Sequence, residues 1–122
     1  MAKILIVEDN PANMKLAIFL LESAGHVTLS ARDAEAGLTL ARNEHPNLIL
    51  MDIQLPGMDG LEAVVLLKRD DATRVIPVIA LTALAMKGDE ERIRAAGCDG
   101  YIAKPMRYQD FLSTIASQLA RA

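Results

Sequence analysis

Apolar residues fall into short runs, separated by longer stretches in which they recur every three or four positions. Four runs stand out: Ile4-Leu5-Ile6-Val7, Leu48-Ile49-Leu50-Met51, Ile76-Pro77-Val78-Ile79-Ala80-Leu81 and Tyr101-Ile102-Ala103. A weaker fifth is Val27-Thr28-Leu29. Runs this short, apolar at successive positions, predict strands covered on both faces. Pro77 suits only the first position of its strand, since it has no N–H to give the ladder.

The stretches between the runs carry a helical period. Ala17, Leu20, Leu21 and Ala24 make an i, i+3, i+4, i+7 stripe with Leu16 beside it. Asn10 can cap that helix, Pro11 suits its first turn and Gly25 stops it. A second helix is predicted from the cap Asp33 to about Asn43, ending before Pro46. Leu61, Val64, Val65 and Lys68 mark a third. The fourth runs from about Met86 to Ala96, acidic at Asp89, Glu90 and Glu91 and basic at Arg92 and Arg94, as the helix dipole favours. Gly97 is placed just past its end. The last helix buries Phe111, Leu112, Ile115 and Leu119.

Strand and helix thus alternate five times. Parallel strands joined by right-handed helical crossovers give an α/β fold, a doubly wound five-stranded parallel sheet with five helices. A length of 122 residues is one domain's worth, and no linker or low-complexity segment divides it. The expectation is one domain over residues 1–122 with no output domain attached. Charge narrows the partners: a net −3 with no basic run offers no footprint for nucleic acid phosphates. No apolar stretch approaches the ~20 residues that span a bilayer, and the N-terminus has no signal-peptide pattern. A lone cysteine, Cys98, excludes an internal disulfide and a thiolate zinc cage and points to the reducing cytoplasm.

In such a sheet the working site lies at the carboxyl ends of the strands. There the chain places Glu8-Asp9-Asn10, Asp52, Thr82 and Lys104-Pro105, while Ser30-Ala31-Arg32 after the second strand stands apart. Two carboxylates ~4 Å apart at an effective dielectric of ~20 repel by about 4 kcal/mol, so clustered acids bind a cation, share protons or keep their distance. All-oxygen ligands in a shallow site favour Mg²⁺, and Lys104 adds a fixed positive charge. Carboxylate, hydroxyl, lysine and Mg²⁺ together make a phosphoryl-transfer kit. Asp52, central and alone at its strand end, is the nucleophile candidate. Glu8 and Asp9 would hold the metal, with a backbone carbonyl near Gln54. An acyl phosphate adds charge and acceptor oxygens, toward which Thr82 can turn while Tyr101 follows into the vacated space.

Four motifs in order, Val7-Glu8-Asp9-Asn10, the stretch Leu48 to Gly60, Leu81-Thr82-Ala83 and Lys104-Pro105, resemble the receiver domain of two-component response regulators over the whole chain. The stretch from Thr82 to Pro105 is similar to DivK-type single-domain regulators of bacterial cell-cycle phosphorelays. The resemblance implies the flavodoxin-like strand order 2-1-3-4-5. It makes Asp52 the phosphoacceptor, Asp9 a direct Mg²⁺ ligand, Glu8 a ligand mostly through water and Gln54 a ligand by its backbone carbonyl. Thr82 and Lys104 would contact the phosphoryl group, Tyr101 would be an aromatic switch, and the peptide before Pro105 would be cis. The donor would be a phosphohistidine on a histidine kinase or phosphotransfer protein. The target would be a protein reached through helix four, strand five and helix five, with no direct nucleic acid and no membrane. Such a domain is no enzyme for outside substrates and at most hydrolyses its own phosphate. Glu8 stands where many receivers have Asp.

Plainer readings stand beside these. Asp52 can cap its loop, Thr82 can belong to a turn, Lys104 can be an exposed lysine and Tyr101 a core residue. Met14 and Ile18 lie beside the main stripe of the first helix; they either cover a core edge or stay exposed to dock a partner. His26 and His45 are expected on the surface and Cys98 in the interior. A Mg²⁺-dependent phosphohydrolase is one rival, although Gln54 stands where such enzymes place a second acid. A flavodoxin-type FMN binder is another, although Glu8 and Asp9 would repel its phosphate. The third is a receiver that acts as a scaffold without phosphorylation.

Overall fold

A computed structural model describes residues 1–83 and 87–121. Five strands, β1 (Lys3–Val7), β2 (Val27–Ala31), β3 (Leu48–Asp52), β4 (Val78–Thr82) and β5 (Gly100–Ala103), alternate with α1 (Pro11–Ser23), α2 (Ala34–Glu44), α3 (Gly60–Arg69), α4 (Lys87–Ala96) and α5 (Tyr108–Arg121). All pairings are parallel, in the order β2-β1-β3-β4-β5. The expected start of the fourth helix at Met86 lies outside the described residues.

The sheet has a core on each face, and strand alternation feeds both. Leu5, Val7, Ile49, Met51, Val78 and Ala80 point to the side covered by α2, α3 and α4. Ile4, Ile6, Leu48, Leu50, Ile79 and Leu81 point to the side covered by α1 and α5, where Leu20, Leu21, Phe111 and Ile115 meet them. Helices on both faces are why these strands contain no polar alternation.

The helix starts follow the side-chain chemistry. Asn10, Asp33 and Asp59 each accept a hydrogen bond from the backbone N–H three residues on, capping α1, α2 and α3. Gly25 and Gly97, after α1 and α4, have φ of 89° and 109°, conformations that favour glycine.

Several details differ from the sequence expectation. The buried stripe of α3 is Gly60, Ala63, Val64 and Leu67, one position earlier than Leu61, Val64, Val65 and Lys68. The apolar run Val64 to Leu67 satisfies either stripe, and the small residues Gly60 and Ala63 decide it by letting the helix approach the sheet. The fourth strand begins at Val78, with Ile76 and Pro77 in the preceding turn, where the Pro77 carbonyl accepts from Ile49 N–H at 3.0 Å. Ala24 is exposed, so the α1 stripe ends at Leu21. Leu112 and Leu119 are only partly buried. His26 is half-buried, its Nδ1 accepting from Ala2 N–H at 3.2 Å.

Candidate functional site at the carboxyl edge of the sheet

Parallel pairing aligns the ends of β1, β3, β4 and β5, and the residues just past them meet. Val7 is in register with Met51, Asp52 with Leu81, and Thr82 with Ala103. Glu8 therefore follows β1 beside Asp52, while Lys104 follows β5 and reaches across. Its backbone N–H donates to the Thr82 carbonyl at 2.8 Å, and its peptide bond to Pro105 is cis.

Oxygens of Glu8, Asp9 and Asp52 come within 4.8 Å of one another. Lys104 Nζ lies 3.0 Å from Asp52 Oδ2 and 2.8 Å from Glu8 Oε1. Asp52 Oδ1 accepts from the Gln54 N–H at 2.9 Å. The carboxylate thus does cap its own loop, but with one oxygen only; the other faces the lysine. Thr82, at the end of β4, is buried beside them.

Burial separates the three acids. Glu8 and Asp52 are 1% and 2% exposed, whereas Asp9 faces solvent. Burial first, and the neighbouring Asp52 second, push the Glu8 carboxyl up to about 7, and Lys104 offsets this only in part. Glu8 is not the solvated acid that its place next to a helix allows. For Lys104, burial lowers the pKa, but the contacts to Glu8 and Asp52 outweigh it and hold the ammonium above its usual value. Among the described residues Glu8 Oε1 is buried with no hydrogen-bond partner, and Lys104 approaches it at 2.8 Å as an ion pair.

A divalent cation fits this donor set. The cluster is all oxygen, carries more negative than positive charge and has a buried oxygen with lone pairs to give. Gln54, whose side chain is exposed, stands beside the cluster by its backbone.

The remaining candidates lie around this centre. Tyr101 is half-buried against the α2–α4 side of the core and lines a cleft of about 350 Å³ with Lys104, Pro105, Arg107, Asp110 and Thr114. Met14 and Ile18 are half-buried and pack against the α5 side of the core. Met14 also lines a cleft of about 320 Å³ beside Glu8 and Asp9; Ile18 does not. The large apolar residues of α1 that do face solvent are Leu16 and, at 67% exposure, Phe19. Phe19 is not among the residues singled out by the helical stripe or the strand ends. Its signal was an aromatic placed outside the buried stripe. Cys98 is buried as expected, and burial pushes its thiol up to about 11.

A sequence profile of the response regulator receiver domain matches residues 4–116. The polar-differentiation response regulator DivK of Brucella ovis is 55% identical over 119 residues, covering 98% of this chain and 97% of that protein. Among solved structures, the receiver domain of the sensor histidine kinase PA1611 from Pseudomonas aeruginosa superposes with a TM-score of 0.91 at 33% identity, with 98% of each chain covered. That structure has a magnesium ion coordinated in its active-site cleft. A CheY-like receiver domain from Methanospirillum hungatei also superposes at 0.91, with 32% identity over 99% of this chain and 95% of that one. Both the strand order and the acidic edge agree with this likeness, and the chain belongs to the response regulator receiver domain family.

Proposed function

We propose that the protein is a phosphoacceptor switch in a phosphorelay, taking a phosphoryl group onto Asp52. The observation that carries this reading is Asp52 itself, a buried carboxylate with Lys104 at 3.0 Å and two more acids within metal-sharing distance. The donor is a phosphohistidine on a histidine kinase or phosphotransfer protein. A carboxylate oxygen of Asp52 bonds to phosphorus, the P–N bond breaks, and the imidazole leaves with a proton.

Glu8, Asp9 and Asp52, with the Gln54 carbonyl, would hold Mg²⁺; Glu8 would act mostly through water. Bound there, the ion supplies positive charge against the phosphoryl oxygens. Lys104 supplies a second positive charge, and Thr82 turns its hydroxyl toward the group. The added charge shifts Thr82, and Tyr101 moves toward the sheet behind it. The changed surface of α4, β5 and α5 then meets a protein target. Water later cleaves the acyl phosphate, so the domain resets itself without acting on outside substrates. Working as a single domain accords with the DivK relative, of which 97% is matched, and the lone Cys98 accords with a reducing cytoplasm.

Incubation with acetyl phosphate and Mg²⁺ followed by intact mass measurement tests this. The expected result is a single phosphate adduct on the wild type and none on Asp52→Asn. An adduct that survives in Asp52→Asn, or no adduct on wild type with any donor, overturns it.

A further inference from the structure

We infer that Gly60 is a positioning residue for Asp52, because the first turn of α3 rests directly on the peptide that carries the proposed phosphoacceptor. A Cβ added at Gly60 would meet the Asp52 carbonyl oxygen, would stand 2.6 Å from Ile53 Cα and would stand 2.8 Å from the Asp52 carbonyl carbon. All three are backbone atoms, which cannot swing aside as a side-chain end can. The Gly60 N–H donates to the Ile53 carbonyl at 3.3 Å, and the Ile53 N–H donates to Leu81 at 3.1 Å. Helix α3, the end of β3 and the end of β4 are therefore joined across this point. The Gln54 N–H that holds Asp52 Oδ1 belongs to the same short segment. Asp59, the α3 cap, fixes where the helix begins and hence which residue meets Asp52. The absence of a side chain at residue 60 sets how far the carboxylate reaches toward Lys104 and Glu8.

This inference rests on the role proposed for Asp52, and its test separates the two. Gly60→Ala is compared with Thr73→Val, which removes a buried 2.7 Å hydrogen bond to Leu67 at the far end of the same helix. Two readouts apply: the ¹³Cγ resonance of Asp52 without metal or phosphate, and the rate of phosphorylation by acetyl phosphate at saturating donor. Gly60→Ala is expected to move the Asp52 resonance and to slow the saturated rate by about tenfold or more, as small misplacements of reacting groups do. Thr73→Val lowers the melting temperature and leaves both readouts unchanged. If Gly60→Ala does not fold, one glycine inserted between Gly57 and Met58 releases α3 from Asp52 without a clash, and the same two changes are expected. An Asp52 resonance and rate that stay at wild-type values in a folded variant, or that Thr73→Val alters equally, overturn the inference. A wild type that accepts no phosphate while Gly60→Ala still shifts the resonance overturns only the phosphoacceptor role.

Discussion

Glu8 shows how far a single residue's chemistry can depart from its type. Its carboxyl titrates near 7 instead of 4.5 because burial and Asp52 disfavour its charge. Between those values the folded chain binds more protons than the unfolded one, so this group's contribution is fully present below about 4.5 and is lost as pH rises to about 7. Glu8→Gln removes the titration. Its urea midpoint should gain on wild type between pH 5 and pH 8, and a difference that stays constant with pH contradicts the assignment. Lys104→Met acts in the opposite sense, leaving Glu8 and Asp52 facing each other without a cation. The expected loss is about 3 kcal/mol at pH 8, the scale of breaking a buried pair. At pH 5, where Glu8 is protonated, urea unfolding should show a much smaller one.

At the scale of elements, ends and faces carry the specificity. The turn after α4 depends on Gly97, whose φ is 109° and whose missing Cβ would stand 2.9 Å from Lys68 Cγ. Lys68 has little freedom to move, since its Nζ donates to the Ile76 carbonyl at 2.9 Å and pairs with Asp99 at 3.2 Å. Gly97→Ala should therefore cost more than about 1 kcal/mol in thermal or urea unfolding, strain and crowding acting together. Helix α1 presents a different question, since Met14 and Ile18 lean on the core and Phe19 faces outward. If α1 docks the phosphoryl donor, Phe19→Ser and the pair Met14→Gln with Ile18→Gln should slow transfer from a donor protein. Phosphorylation by acetyl phosphate should not change. Equal loss of both activities would mean that these substitutions disturb the domain itself.

At the scale of the whole molecule, the site and the fold are one structure, because Glu8, Asp9, Asp52, Thr82 and Lys104 each sit on the last residue of a strand or within two residues after it. A cation that binds only the folded arrangement must stabilise it. Mg²⁺ should raise the melting temperature of wild type and do so much less for Asp9→Asn, whose exposed carboxylate costs little stability to remove. Chelation should reverse the rise. Lower pH should weaken the effect, because the proton on Glu8 competes with the ion. Phe111→Ala, by contrast, opens a cavity in the α1–α5 core and should cost about 3–5 kcal/mol with or without Mg²⁺.

Much of this was legible in residue order alone. Apolar runs of strand length, caps at Asn10 and Asp33, and stop glycines at Gly25 and Gly97 are local signals, and each acts through neighbours a few residues away. Five alternations then leave little choice of fold, and the carboxyl-edge rule gathers Glu8, Asp9, Asp52, Thr82 and Lys104 into one region. Other features were decided only when distant segments met. The face of α3 depended on how close Gly60 and Ala63 let it come to the sheet. Whether Met14 and Ile18 were covered depended on where α5 lay. The altered acidity of Glu8 depended on the depth of one pocket and on Asp52 and Lys104, 44 and 96 positions further along. Local order fixes periodicity and termini because those are short-range; burial and electrostatics are sums over neighbours in space, and only the folded chain supplies them.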